Sequence, residues 1–421
     1  MPLQGLFTPP GDKSISHRLI LMSLLAKGEM LVEGLSSGQD VATSLRLFRH
    51  LGGKAIDERG GIRLFGLERA LNPQKEDLEL DCANSGTTMR LLAGILAGTP
   101  GTYKLIGDEQ LSRRPMERVA DPLRQMGAKI ATQLGRPPVI ITGGNLNPID
   151  YQLKDASAQV KGAILLAGLL ANGGPTRVTE IANTRNHTEL LINYFGGKVT
   201  KEGLTLTVWP EPLTLTENFL TPGDPSSAAF FLTGAALIPG SKVTAKDLLQ
   251  SPARTGFLRV LHRMGAQVSL TMTSDTPEPM GDVTVAYNGP LTATEIPAEE
   301  VPSLIDEIPI LAFAATQAQG LTIFRQVDEL RIKETDRLMS IRHQLGALGA
   351  RVKVEGDDLY IEGPTSFMIP KELDSGSDHR LAMTLAIALL AAKAKIPILG
   401  EESIGISYPD FKAQLSGLWV D

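Results

Sequence analysis

The residues of this chain that could do chemistry fall into two kinds. The first is a pair of acidic stretches set among cations: Asp306-Glu307, and Lys333-Glu334-Thr335-Asp336-Arg337. A carboxylate in a site built to hold anions works against that site unless it also moves a proton, so Asp306 and Glu334 are candidate acid/base groups. The second kind is a series of small polar and basic residues, each leading into an Ala/Leu-rich run: Lys13, Ser14 and Arg18; Asn84, Ser85, Gly86, Thr87 and Arg90; Ser157 and Gln159; Asp378, His379 and Arg380. Arg113-Arg114-Pro115 and Asn183-Thr184-Arg185-Asn186-His187 lie at further helix openings. The first turn of a helix presents unpaired N–H groups and a partial positive charge, which makes it an anion site. Ser14 and Arg18, one turn apart, share a helix face, and Lys333 and Arg337 are expected at i and i+4 with Glu334 about 100° round the same helix. Any one of these charges alone reads as a solvated surface cation or an ion pair. Their recurrence at one structural place points to substrates carrying phosphate or carboxylate groups.

The elements that must position them repeat. The polar cluster and its apolar run start near residues 14, 84, 157, 226, 306 and 378, a period of about 70 residues that fills the 421-residue chain. Between them recur Leu51-Gly-Gly-Lys, Met126-Gly-Ala-Lys, Phe195-Gly-Gly-Lys, Met264-Gly-Ala-Gln and Leu348-Gly-Ala-Arg. Each ends an amphipathic stretch and precedes alternating segments, which reads as helix, glycine cap and hairpin. One unit is therefore β-α-β-α-β-β, an α/β fold class with six repeats. Pro10-Gly11-Asp12 and Pro222-Gly223-Asp224 open units one and four alike. They divide the chain into two domains of three units, 12–221 and 222–421 plus 1–11, expected to be joined by two crossings that serve as a hinge.

Composition narrows the function. Forty-one Lys+Arg against 47 Asp+Glu give a net charge of −6 with only 5% aromatic residues, which argues against nucleic acid as partner. The apolar run from Leu381 to Ala392 is too short to span a bilayer, and the first residues lack the pattern of an export signal. One cysteine, Cys82, allows no internal disulfide and no thiolate zinc site, and suits a reducing, cytoplasmic setting. Rival motifs are weak. Gly5 to Ser14 resembles a P-loop with one residue too many, and Gly34-Leu-Ser36-Ser-Gly38 matches a nucleophile elbow with no partner residues. Cys82 precedes a helix start where a thiol pKa could fall, although a lone small cysteine more often packs.

Gly11-Asp-Lys-Ser-Ile-Ser-His-Arg, Asn84-Ser-Gly-Thr-Thr-Met-Arg, Arg114-Pro-Met, Asp306-Glu-Ile-Pro, Arg331-Ile-Lys-Glu-Thr-Asp-Arg and Asp378-His-Arg-Leu-Ala-Met resemble, in order and over the whole chain, the signatures of the 5-enolpyruvylshikimate-3-phosphate synthase family. The resemblance implies a two-domain inside-out α/β barrel closing over an interdomain cleft, and transfer of an enolpyruvyl group from phosphoenolpyruvate to the 5-hydroxyl of shikimate 3-phosphate without metal or cofactor. It implies that Lys13 bridges both substrates. Ser14, Arg18, Ser157, Ala158 (by its backbone), Gln159, Arg185, Asp306 and Lys333 would hold shikimate 3-phosphate. Asn84, Gly86, Arg114, Gln159, Arg337 and Arg380 would hold phosphoenolpyruvate. Asp306 would be the base at the 5-hydroxyl and Glu334 the acid at the methylene. The resemblance further implies a monomer inhibited by glyphosate, with access governed by position 86.

The chain departs from family patterns at several positions. Ile406 stands where several members carry a phosphoenolpyruvate-contacting Lys, Glu329 where some have Asn, Ala83 where Gly is frequent, Leu91 where one branch has Pro, and Ala158 where some have Ser. Two other functions remain open at this point. One is the sister enolpyruvyl transferase acting on UDP-N-acetylglucosamine, though no Cys lies near Arg113-Arg114-Pro115. The other is a non-catalytic phosphate- or carboxylate-binding protein, for which Asp306 and Glu334 would have no purpose.

Overall fold

The computed structural model describes residues 2–68 and 77–419. The chain forms two compact units, one from Gly11–Thr221 and the other from Met1–Pro10 with Pro222–Asp421. The first is built on three helices, α1 (Lys13–Met22), α2 (Gly86–Ala97) and α3 (Ala158–Gly168), and the second on α4 (Pro225–Leu237), α5 (Ile308–Gln317) and α6 (His379–Ala391). These helices are apolar nearly all round, so they must be enclosed. In α2 every residue but Thr87 is buried. Small residues let them touch: a Cβ on Gly94 would fall 2.2 Å from the carbonyl oxygen of Ala163, so α2 and α3 meet backbone to backbone there.

Four-stranded sheets surround the helices. Glu29–Glu33, Lys54–Glu58 and Gly61–Phe65 form one with Asn218–Leu220, and the pattern recurs for Asp77–Asp81 to Arg136–Gly143 and for Asp150–Gln152 to Thr205–Trp209. In each, one face is buried and the other solvated, as in the alternation of Thr205–Trp209. Helices inside and sheets outside give the inside-out α/β arrangement of two domains. The lead strands of units one and four come from elsewhere in sequence. Asn218–Leu220 pairs in parallel with Glu29–Glu33, and Gln4–Phe7 pairs in parallel with Lys242–Leu249. The chain thus starts in the second domain, enters the first at Gly11 and leaves it after Thr221.

Two details differ from the expected repeat. The sixth unit has Leu373–Asp374 paired with Ile398–Leu399, but among the described residues no hairpin follows. A 3-10 turn, Glu401–Ile406, and a helix, Phe411–Leu418, follow instead, and the core beside them is closed by Tyr408 and Phe411 packed on Phe231. The second difference is that Lys333 to Arg337 is not one helical face. Asp328–Ile332 is a 3-10 turn, Lys333 is extended, and the helix begins only at Arg337 because the Asp336 side chain accepts from Met339 N and caps it. No helix of the described residues is long and apolar enough to cross a membrane.

Candidate active site

Side-chain caps set most of the core-helix starts. Asp12 accepts from Ile15 N, Ser85 from Thr88 N, Ser157 from Val160 N, Asp224 from Ser226 N, and Asp378 from both Arg380 N and Leu381 N. Each cap fixes where the first turn begins and therefore where the neighbouring polar side chains stand.

In the first domain the packing of α1, α2 and α3 brings three of these starts together. Lys13 Nζ lies 3.0 Å from Asp40. Buried Arg18 donates from Nε to Thr188 Oγ1 at 2.7 Å, and from Nη1 to its own helix at the Ser14 carbonyl, 2.9 Å. Gly86 is hemmed by two guanidinium tips, since a Cβ there would lie 3.0 Å from both Arg114 Nη1 and Arg90 Nη1. Arg90 in turn donates to Gln159 Oε1, and Gln159 donates from Nε2 to Thr87 Oγ1 at 2.9 Å, which ties the start of α3 to that of α2. Asn84 donates to Asp108 and Gln110, 2.8 Å each. The loop carrying Arg185 is tied down at Thr184, whose N–H and hydroxyl both donate to Glu180. Buried Lys161 lies 3.0 Å from the same carboxylate and 2.7 Å from Glu189. Behind this face His17 Nδ1 lies 2.8 Å from Ser44 Oγ, which lies 2.8 Å from Thr88 Oγ1. Burial drives the His17 pKa down to about 3; Asp40 opposes this, while Lys13 and Arg18 add to it.

The second domain gathers a different set. Arg337 is wholly buried and gripped by Asp378, with Nε 2.8 Å and Nη2 3.2 Å from its two carboxylate oxygens. The same guanidinium donates to Glu334 and lies 3.8 Å from Asp306. Arg380 reaches Asp306 from the other side, 3.7 Å to the carboxylate and 3.3 Å to the carbonyl oxygen. Burial works against the Arg337 charge, yet Asp378 and Glu334 outweigh it and hold the pKa above the ordinary arginine value. Lys333 is half-buried beside this group. Burial pushes its ammonium below the usual lysine pKa, against the pull of Asp306 and Glu329.

The sequence-predicted residues therefore resolve into two sets. Lys13, Ser14, Arg18, Asn84, Gly86, Arg114, Ser157, Ala158, Gln159 and Arg185 belong to the first domain, and Asp306, Lys333, Glu334, Arg337 and Arg380 to the second. Sequence reasoning passed over Thr188 as the partner of Arg18 and Asp378 as the anchor of Arg337. The partners lie 170 and 41 residues apart, and only the repeat period could have suggested that they meet. Ile406 ends the Glu401–Ile406 turn and offers no charge. Ala83 adopts φ +47°, the left-handed region that a glycine would occupy without strain. The rival nucleophiles fare poorly. Cys82 is buried with its thiol pKa pushed up to about 12, first by desolvation and then by Asp81. Ser36 is buried, with its hydroxyl 3.4 Å from Gly38 N.

A repeated α/β scaffold whose helix starts present guanidinium and amide donors, with carboxylates set among the cations, fits a transferase of anionic substrates better than a simple anion binder. The family model for EPSP synthase (3-phosphoshikimate 1-carboxyvinyltransferase) matches residues 1–415, and the chain belongs to that family. It is 43% identical over 426 residues to the 3-phosphoshikimate 1-carboxyvinyltransferase of Streptococcus pyogenes serotype M2, covering 100% of this chain and 97% of the relative. To that of serotype M49 (strain NZ131) it is 44% identical over 428 residues, covering 100% and 98%. The solved EPSP synthase of Acinetobacter baumannii superposes with a TM-score of 0.86 at 37% identity, covering 99% of this chain and 96% of that one. The enolpyruvyl transferase NikO of Streptomyces tendae shares the fold, with a TM-score of 0.80 at 19% identity over 100% and 96% of the two chains.

Proposed function

We propose that the two clusters act together on one pair of substrates to perform the reaction of the family, transfer of the enolpyruvyl group of phosphoenolpyruvate to the 5-hydroxyl of shikimate 3-phosphate with release of phosphate. Lys13, Ser14, Arg18, Ser157, the backbone of Ala158, Gln159, Arg185 and Lys333 hold shikimate 3-phosphate. Lys13, Asn84, Gly86, Arg114, Gln159, Arg337 and Arg380 hold phosphoenolpyruvate. Glu334 gives a proton to the methylene carbon, which leaves C2 electron-poor. The 5-hydroxyl adds to C2 as its proton passes to Asp306, and a tetrahedral intermediate forms. Loss of a proton from the new methyl group then expels phosphate and restores the double bond. Such chemistry rests on orientation, charge neutralisation and proton transfer.

One observation carries this reading. A single buried guanidinium, Arg337, is locked by Asp378 while facing both Asp306 and Glu334. A pure anion binder would gain nothing from carboxylates that compete for its arginine. With Ile406 where several family members have a lysine, Arg337 and Arg380 are the second-domain cations that carry the phosphoenolpyruvate charge. Mixing the purified protein with both substrates should release one phosphate per enolpyruvyl ether formed. Release that does not require shikimate 3-phosphate, or that occurs with UDP-N-acetylglucosamine in its place, would sink the assignment.

Three finer readings belong with it. Glyphosate competes with phosphoenolpyruvate, because Gly86 puts no side chain between Arg90 and Arg114, where a Cβ would lie 3.0 Å from both guanidinium tips. The enzyme works as a monomer, as the family resemblance implies. It resides in the cytoplasm, in keeping with its lone buried thiol.

A further inference from the structure

The mechanism above leaves one wholly buried cation unused. Lys161 is 0% exposed and lies one turn into α3, where its N–H donates to the Ser157 carbonyl at 3.1 Å. Its ammonium stands 2.7 Å from Glu189 and 3.0 Å from Glu180, and the two carboxylates belong to different neighbours. Glu180 follows the strand Thr176–Thr179 and accepts from the N–H (3.1 Å) and the hydroxyl of Thr184, the residue before Arg185. Glu189 sits in the helix His187–Tyr194 beside Thr188, the partner of Arg18. Gly162 lets that helix come close to α3, since a Cβ there would fall 3.0 Å from Thr188 Oγ1 and 3.5 Å from Arg18 Nη2. Lys201, 3.0 Å from Glu180, completes a cluster of two lysines and two glutamates.

We infer that Lys161 and Glu180 are positioning residues that join the Ser157–Gln159 helix start, the Arg185 loop and the Arg18 partner helix into one subsite for shikimate 3-phosphate. Desolvation works against the Glu180 charge, yet Lys161 and then Thr184 hold its carboxyl below the ordinary glutamate range, so these contacts are between ions. Apolar side chains could fill the same space at no loss of stability, because burying charges costs solvation that their attraction does little more than offset. What ions and hydrogen bonds add is direction and a short reach, so one ammonium seated against both carboxylates fixes three elements relative to one another. Each of those elements carries or holds a group assigned above to shikimate 3-phosphate, while the phosphoenolpyruvate groups Asn84, Gly86 and Arg114 stand on other elements. The inference rests on that assignment.

Two sets of variants test it. Thr184→Val removes one donor to Glu180 and leaves every charge paired, whereas Thr184→Ser keeps the donor. Thr184→Val should raise KM for shikimate 3-phosphate about fivefold with kcat and KM for phosphoenolpyruvate within about twofold of the parent, and Thr184→Ser should match the parent. Lys161→Met combined with Glu189→Gln removes the link from α3 and leaves Glu180 paired with Lys201, so neither carboxylate is stranded as a buried charge. This double variant should raise KM for shikimate 3-phosphate about tenfold or more, again sparing KM for phosphoenolpyruvate. A cluster that served stability alone would lower Tm and leave the ratio of the two KM values unmoved. Should the double variant not fold, the Thr184 pair decides alone. An unchanged KM for shikimate 3-phosphate, an equal rise in both KM values, or a Thr184→Ser variant as impaired as Thr184→Val would overturn the inference. Arg185→Gln separates the two levels. If it raises KM for shikimate 3-phosphate while the other variants do not, only the positioning role fails. If it leaves that KM unchanged, the substrate assignment fails and this inference with it.

Discussion

The helix-start clusters of the two domains solve the same problem with different partners. In the first domain Arg18 is held by a threonine hydroxyl and a backbone carbonyl, and Arg90 by an amide oxygen. Neutral acceptors fix a guanidinium without cancelling its charge, although Lys13 in the same cluster pairs with Asp40. In the second domain Arg337 and Arg380 stand among Asp306, Glu307, Glu334 and Asp378. Carboxylates fix the arginines more strongly and cancel part of their charge. They also supply groups that exchange protons. On the proposed assignment the first domain binds and the second binds and reacts.

The largest effect that tests this contrast is on turnover. Asp306→Asn and Glu334→Gln should each lower kcat by about 10²- to 10⁴-fold with KM values little changed. Thr188→Val in the first domain should instead raise KM for shikimate 3-phosphate by about tenfold or more with kcat nearly kept, the usual worth of a hydrogen bond to a charged group. Equal kcat losses in both domains would erase the distinction.

A smaller effect concerns acid. His17 is neutral in the folded protein down to about pH 3 but has an ordinary value of 6.5 when unfolded. Between those values the unfolded chain binds the extra proton, so His17 lowers stability progressively as pH falls from 6.5 toward 3, by an amount on the order of 5 kcal/mol in full. His17→Asn, which loses the bond to Ser44 but cannot titrate, should be less stable than the parent at pH 7. Its deficit, read from urea midpoints, should shrink steadily toward pH 4.5. A constant deficit would mean that His17 is already charged behind the first cluster.

The smallest expected effect is at Ala83. Its left-handed backbone favours glycine, so Ala83→Gly should raise stability by about 0.5–1 kcal/mol, seen as a small rise in Tm. A fall in Tm would show that the turn before Gly86 is not strained.

Much of this was legible without coordinates. The 70-residue period foretold the repeated unit, and the polar residues ahead of each apolar run marked the candidate site, because the first turn of a helix presents unpaired N–H groups. Local competition was harder to read. Spacing placed Lys333 and Arg337 on one helical face, but Asp336 captures Met339 N and starts the helix late. Glu334 and Arg337 still meet, across the cap instead of along a helix. The abbreviated sixth unit was hidden for a similar reason, since Tyr408 and Phe411 cover the core without any strand alternation to announce them.

The residue order alone determined the repeat, the caps and the chemical identity of the groups at each helix start, because those depend on neighbours within a turn or two. Tertiary structure alone decided which cation meets which acceptor: Arg18 with Thr188, Arg337 with Asp378, Ser226 with Glu307. Such pairings join residues 170, 41 and 81 positions apart, and a hydrogen bond acts over about 3 Å of space however much chain lies between its ends.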